Sequence, residues 1–200
     1  MKFRSRIAKY AAWVALCVPA LIIVFRYLAD SVSYGEVIHE TGDWSIGLLF
    51  VALAITPLGR ALPKSRWLAF FRFHRRAIGV ASFAYAALHT VTYLEKKWGA
   101  QLILKEGLQP DIATGWIALV IFLALAITSN NGSVRKLGKK WKSLHRLVYV
   151  AAALVFAHWI LTAFEPQLAY VVLVALCLVE ALRWLPGRRT SAVGNRDSIR

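Results

Sequence analysis

Residues 144–163 read LHRLVYVAAALVFAHWILTA: an apolar run with His145 at its start and His158 well inside it. About 20 helical residues cross a bilayer, and this run is one of six blocks long enough to do so, at about 10–28, 44–62, 77–94, 113–129, 146–163 and 167–185. The chain has 200 residues, 58% of them hydrophobic, with a mean hydropathy of +0.54. That share is well above the usual globular value. The stretches between blocks are short, so no soluble domain of even ~50 residues fits between them. The expected fold is all-α and integral to the membrane, a single domain over 1–200 with six transmembrane helices.

Charge gives the orientation. The chain carries 25 Lys and Arg against 10 Asp and Glu, a net charge of +15. Twenty-one of the basic residues fall in four segments: the N-terminus, 60–76, 135–146 and the tail from Arg183. Only Arg26, Lys96, Lys97 and Lys105 lie in the remaining segments, which hold eight of the ten acids. Basic loops stay on the cytoplasmic side. Both termini are therefore expected in the cytoplasm, with the loops near 30–43, 95–112 and 163–166 facing outward. Nucleic acid binding is the poorer account, because the basic residues are divided among membrane edges.

The first block resembles a signal peptide in having basic residues before an apolar run, but no small-residue cleavage pattern follows Phe25–Leu28. Cys17 and Cys177 are isolated in separate apolar blocks, without a CxxC pattern, and read as buried thiols. Trp44, Trp67, Trp98, Trp116, Trp141, Trp159 and Trp184 read as interface anchors at span ends. Thr56-Pro57 is expected to end the second span, Pro110 to precede the fourth and Pro166 to open the sixth. A short basic tail, 186–200, follows the sixth block, and its polar last residues, Arg188 to Arg200, are expected to fray.

The spans hold almost no charge. Glu180 is the only acid at appreciable depth, with Arg183 one helical turn away as its expected partner. That argues against a secondary transporter or proton pump, whose pathways need such groups. The sequence contains no phosphate-cradling glycine loop, HExxH or nucleophile elbow. What the spans do contain is histidine. His89 in the third and His158 in the fifth both sit in apolar surroundings, on helices that run in the same direction. His89 lies 13 residues in from Arg76 and His158 lies 13 in from His145, so both are expected at similar depth in the outer half of the bilayer. Two neutral imidazoles at one level suit bis-histidine ligation of heme iron. Hydrogen bonds to neighbouring helices would account for each histidine singly.

At the other end the pattern is less complete. His145 lies ~20 Å from His158 along a helix, the separation a second heme would take, yet it is rotated ~140° from it. The counterpart fourteen residues before His89 is Arg75, and His74 beside it is offset by ~60°. His145 reads either as an inner heme ligand or as a headgroup contact, with His74 as an occasional assistant. Arg75, Arg76 and Arg146 are placed to pair with propionates or with lipid phosphates. His39 is expected in the outer acidic loop, solvated or bonded to it.

Several stretches carry a resemblance. Thr41-Gly42, Ile55-Thr56-Pro57-Leu58-Gly59-Arg60, Arg75-Arg76-Ala77-Ile78-Gly79 and Ala87-Leu88-His89-Thr90 are among them. So are Ile127-Thr128-Ser129, the Lys136-Leu137-Gly138-Lys139 block through Trp141, Leu144-His145-Arg146 and Ala157-His158. Over about residues 38–185 the chain resembles the heme-binding membrane subunits of the bacterial periplasmic protein-methionine-sulfoxide reductase system (the MsrQ or YedZ family). These belong to the ferric-reductase-like transmembrane superfamily, which includes the NADPH oxidases. The resemblance implies a cytochrome b-like bundle in the inner membrane, with b-type heme on His89, His145 and His158. It also implies a flavin mononucleotide, for which no contact residues stand out. Where the oxidases have a fourth ligating histidine this chain has Arg75, which leaves one or two hemes open. It implies electron delivery to a periplasmic molybdenum-containing catalytic subunit that repairs oxidised methionine. The donor is then membrane quinol or a separate cytoplasmic flavin reductase, because only a short tail follows Leu185. The competing readings are another ferric- or quinone-linked cytochrome b with a different acceptor, and a heme-free transporter or scaffold.

Overall fold

In hydrocarbon each backbone N–H and C=O has to be satisfied within the chain, which a helix does segment by segment. The computed structural model describes residues 2–97 and 105–184, with side chains from Ile7 onward. The helices are α1 (Lys2–Leu28), α2 (Tyr34–Ala61), α3 (Arg66–Lys96), α4 (Pro110–Ile127), α5 (Asn131–Leu137), α6 (Lys139–His145), α7 (Val148–Thr162) and α8 (Gln167–Ala181), followed by a 3₁₀ turn, Leu182–Trp184. Among the described residues, six segments are long and apolar enough to cross a membrane, with α6 and α7 joined as one, Lys139–Thr162. Trp98 and the expected frayed tail lie outside the described residues.

The six segments overlap the expected blocks, but their starts differ: α1 begins at Lys2 instead of about 10 and the fifth segment at Lys139 instead of about 146. Helix α2 starts at Tyr34 instead of 44, because Ser33 caps it. The Ser33 hydroxyl accepts from the Glu36 amide while the Glu36 carboxylate accepts from the Ser33 amide, a reciprocal capping box. The expected acidic loop around His39 is thus helical, and Trp44 lies inside α2, stacked on Tyr85 with ring centres 5.6 Å apart. Helix α3 likewise starts at Arg66, capped by the Ser65 hydroxyl, so Arg72, Arg75 and Arg76 lie on a helix and not in a loop. Pro57 does not end α2, which runs on to Ala61. Pro110 and Pro166 do stand at helix starts, where a missing N–H costs little.

Helix α2 is the hub. One of its faces packs with α1 and α3 around Leu48, Ala52, Ile55, Ala81 and Tyr85. The other packs with α4, α7 and α8 around Leu53, Phe122, Ala151, Phe156 and Leu176. Lipid tails are as apolar as these side chains, so close backbone approach matters more than water expulsion. Small buried residues (Ala52, Ala81, Ala118, Ala151 and Ala152) permit it. Ser45 and Ser82 tie α2 to α3 reciprocally, each hydroxyl donating to the other's carbonyl at 3.0 and 2.9 Å.

Helix α1 is mostly exposed, Cys17 included, so that thiol is not buried; Cys177 is exposed as well. Its attachment to α3 is specific. The Tyr85 hydroxyl accepts from the Ala20 amide at 3.0 Å and donates to the Leu16 carbonyl at 2.9 Å, standing where Ala20 would ordinarily bond Leu16 directly. The inserted rung lies beside Pro19, which has no N–H to offer.

At the basic end, Gly138 (φ +51°, ψ −122°) joins α5 to α6 in a backbone that a Cβ would disfavour. The ladder changes again between α6 and α7. Arg146 bonds both Lys142 and Ser143, Leu147 bonds Leu144, and Tyr149 bonds Arg146, the tighter 3₁₀ pattern. The 13-residue rotation from His145 to His158 therefore cannot be taken from an ideal helix.

Candidate functional site

A cavity of about 350 Å³ opens at the acidic end between α2, α3, α4 and α7. That is within the ordinary range for small-molecule and cofactor sites. His89 enters it from α3 and His158 from α7, with ring centres 6.3 Å apart and planes at 90°. The structure thus brings together the two histidines that the spacing placed at one depth.

Each ring is held from behind. His89 Nδ1 donates to the Ile38 carbonyl at 2.9 Å, and His158 Nδ1 to the Asp111 carbonyl at 2.6 Å. A carbonyl can only accept, so each ring carries a proton on Nδ1, and in the neutral form that leaves Nε2 as a lone pair. Among the described residues neither Nε2 has a protein hydrogen bond.

Glycines make room for the rings. A Cβ on Gly42 would meet His89 at 3.5 Å, an ordinary contact, whereas one on Gly115 would meet His158 Nδ1 at 3.0 Å. The apolar lining includes Ile46, Ala118, Phe122 and Val155, with Trp116 and Trp159 also on the wall. Those two tryptophans, read as interface anchors, are therefore part of the site. His39 and Asp43, one helical turn apart on α2, also line the cavity.

Beside the cavity, the Lys97 ammonium and the Tyr93 hydroxyl, itself on the cavity wall, converge on Glu106 at 2.9 and 2.8 Å. The Lys97 hydrogen bond, then that of Tyr93, holds the Glu106 carboxyl below its ordinary range. Glu106 in turn raises the Lys97 ammonium.

The donor set can be tested against a metal. Among the described residues, no group of three or more His, Cys, Asp or Glu could hold a bare ion. Two facing imidazoles do fit a metal whose remaining positions are supplied by a macrocycle. With imidazole nitrogen about 2 Å from a metal, ring centres 6.3 Å apart leave room for a metal that His89 and His158 would both hold. The fit rests on this distance, the free Nε2 atoms and the apolar wall.

The other candidate residues lie elsewhere. His145 Nε2 bonds the Thr128 hydroxyl at 3.0 Å, and its ring stacks on Trp141 at 3.9 Å. Trp141 Nε1 donates to the Thr128 carbonyl at 2.9 Å, so one residue at the end of α4 holds both. His74 is buried between Phe70 and Phe73, at 4.5 and 4.9 Å, and its Nε2 has no partner. Arg75 Nε donates to the Ala52 carbonyl of α2, and Arg76 to the Asn131 side chain. Neither arginine lines the cavity, and Arg146 is exposed. Glu180 does pair with Arg183, at 3.0 Å. The histidines were legible in the sequence; the carbonyls of Ile38 and Asp111, and the glycines, were not. The glycines alone left a sequence signal, the Thr-Gly dipeptide at 41–42 that recurs at 114–115.

These features define a multi-pass membrane protein with a paired-imidazole cavity. A family model described as the ferric reductase-like transmembrane component matches residues 41–156, from α2 into α7. Three relatives carry the name protein-methionine-sulfoxide reductase heme-binding subunit MsrQ. That of Herminiimonas arsenicoxydans is 40% identical over 161 residues, covering 76% of this chain and 72% of the relative. The Caulobacter vibrioides protein is 34% identical over 202 residues, 96% of this chain and 93% of its own. The Rhizobium meliloti protein is 38% identical over 177 residues, 81% and 77%. No solved structure matches the chain. The chain belongs to the ferric reductase-like transmembrane family, among its MsrQ members.

Proposed function

We propose that the chain is the electron-carrying membrane subunit of a protein-methionine-sulfoxide reductase and holds b-type heme between His89 and His158. The observation that carries this reading is the pair of imidazoles 6.3 Å apart, each tied through Nδ1 to a backbone carbonyl. When bound, the heme iron would supply one-electron redox chemistry. The protein supplies two neutral donors with fixed tautomers and a largely apolar wall. Hydrogen bonding through Nδ1 strengthens Nε2 as a donor and fixes the ring plane.

One heme per chain fits the donor set. His145 commits Nε2 to Thr128, and His74 lies between two phenylalanines, so the basic end offers no matched second pair. By the positive-inside rule the basic end lies in the cytoplasm, both termini with it, and the cavity opens toward the periplasm of a bacterial inner membrane. The acceptor is then a periplasmic molybdenum-containing catalytic subunit. The donor, membrane quinol or a soluble flavin reductase, supplies electrons from within the membrane or at the basic face.

Purified protein in detergent is expected to show reduced α and Soret bands and one heme per chain by pyridine hemochrome. Absence of those bands overturns the reading. Reoxidation of the dithionite-reduced protein by the periplasmic catalytic subunit separates it from a cytochrome b with another acceptor, which would keep the bands and stay reduced.

A further inference from the structure

The histidines come from different helices, yet each is seated in the same way. On α2, the Ile38 carbonyl takes the His89 proton and Gly42, one turn later, faces the ring. On α4, the Asp111 carbonyl takes the His158 proton and Gly115 faces that ring. The residue before each glycine is threonine, and its hydroxyl donates to the same carbonyl. Thr114 reaches Asp111 at 2.8 Å and Pro110 at 3.0 Å, whereas Thr41 reaches Ile38 at 3.2 Å while favouring Val37 at 2.7 Å. Positions i, i+3 and i+4 share one helix face, so acceptor, hydroxyl and gap form one seat.

The seats differ in tightness. The α4 seat has the shorter ring bond, 2.6 against 2.9 Å, the closer hydroxyl and the smaller gap. Back-bonded threonines are common in membrane helices, as Thr90 and Thr92 show here. These two are distinguished by sharing their acceptor with a candidate ligand. We propose that Thr41-Gly42 and Thr114-Gly115 are positioning residues that set the plane and donor strength of the two imidazoles, with His158 held firmly and His89 adaptable.

This rests on the heme reading above. A carbonyl has two lone pairs to distribute. Removing the Thr114 hydroxyl leaves more of the Asp111 carbonyl to His158, makes Nε2 a stronger donor and favours the ferric state. The midpoint potential falls. Adding a methyl at Gly115 pushes the ring off its seat, because the atom it meets at 3.0 Å is the Nδ1 that the Asp111 carbonyl already holds.

The test compares Gly115→Ala, Gly42→Ala and Gly47→Ala in the full chain. No atom lies within 4 Å of a Cβ on Gly47, which makes it the control. Gly115→Ala is expected to weaken heme retention about 10-fold or more. Its ferric low-spin resonance should depart from the strongly anisotropic form that perpendicular imidazoles give. Gly42→Ala should show a smaller change, and Gly47→Ala none. Wild-type retention and resonance in Gly115→Ala, or an equal change in Gly42→Ala, overturns the proposal.

If Gly115→Ala does not fold, Thr114→Val and Thr114→Ser examine the same seat. Valine should lower the midpoint potential and serine restore it; identical potentials overturn the proposal. A wild-type protein without heme bands defeats the heme reading instead. The seats then stand or fall on nitrogen-15 shifts of the heme-free protein, where His158 carrying its proton on Nε2 overturns them.

Discussion

The same two spans carry a histidine near each end, yet only one end makes a pair. At the acidic end His89 and His158 face each other at 6.3 Å; at the basic end His74 is enclosed by phenylalanines and His145 is taken by Thr128 and Trp141. Matched residue spacing is therefore not what brings two histidines together. At the acidic end, neighbouring helices present a carbonyl and a glycine to each ring. At the basic end, beside the broken ladder between α6 and α7, His145 bonds Thr128 of α4 and Arg75 bonds the Ala52 carbonyl of α2. What separates the ends is the layer behind the histidines.

The largest expected effect breaks the acidic end. His89→Ala and His158→Ala should each remove the same heme, read as lost Soret absorbance and hemochrome. A six-coordinate low-spin spectrum at full heme content in either variant would dissolve the pairing.

At the basic end the expected effects are structural. His145→Ala should keep the heme spectrum while losing about 1–3 kcal/mol of stability in detergent, from one hydrogen bond and one aromatic contact. Heme loss comparable to that of His89→Ala would make the two ends alike. His74→Leu should be neutral or stabilising by about 1 kcal/mol, because it removes a buried nitrogen with no partner. Destabilisation with loss of color would instead give His74 a ligand's role.

The smallest effect is a pH response beside the cavity. Glu106 is held below its ordinary range, so its contribution is present above the unfolded carboxylate pKa of about 4.3 and fades as pH falls through the lower folded value. Lys97 is raised, so its contribution is present below about 10.4 and fades as pH rises through the higher folded value. Glu106→Gln should flatten the acid limb of a thermal-stability profile; an unchanged limb would show that the link is not felt.

The spans were legible because bilayer-crossing helices must be long and apolar, and that pattern survives any packing. Helix ends were less so: hydropathy fails where α2 and α3 extend in polar residues beyond the hydrocarbon. The signal for α2 was there, as Ser33-x-x-Glu36 is a capping box in letters. The paired histidines were readable from depth alone. Their orientation was not, since a backbone carbonyl leaves no trace in side-chain identity and an ideal-helix rotation cannot foresee the 3₁₀ rungs at Arg146–Leu147. The tryptophans have a second role that a preference for interfaces does not foretell: Trp116 and Trp159 line the cavity, and Trp141 stacks on His145.

The tyrosine rung in α1 has a mechanical consequence. A phenol that accepts from one amide and donates to a carbonyl four residues earlier acts as a registration pin: it fits only where that one pair stands open. Sliding α1 along α3 by a single residue would strand an amide, a carbonyl and a hydroxyl together in hydrocarbon. The lipid-facing helix, tied to α2 by the Arg26–Glu40 ion pair, is thereby also indexed to the helix that carries His89, four residues beyond the pin.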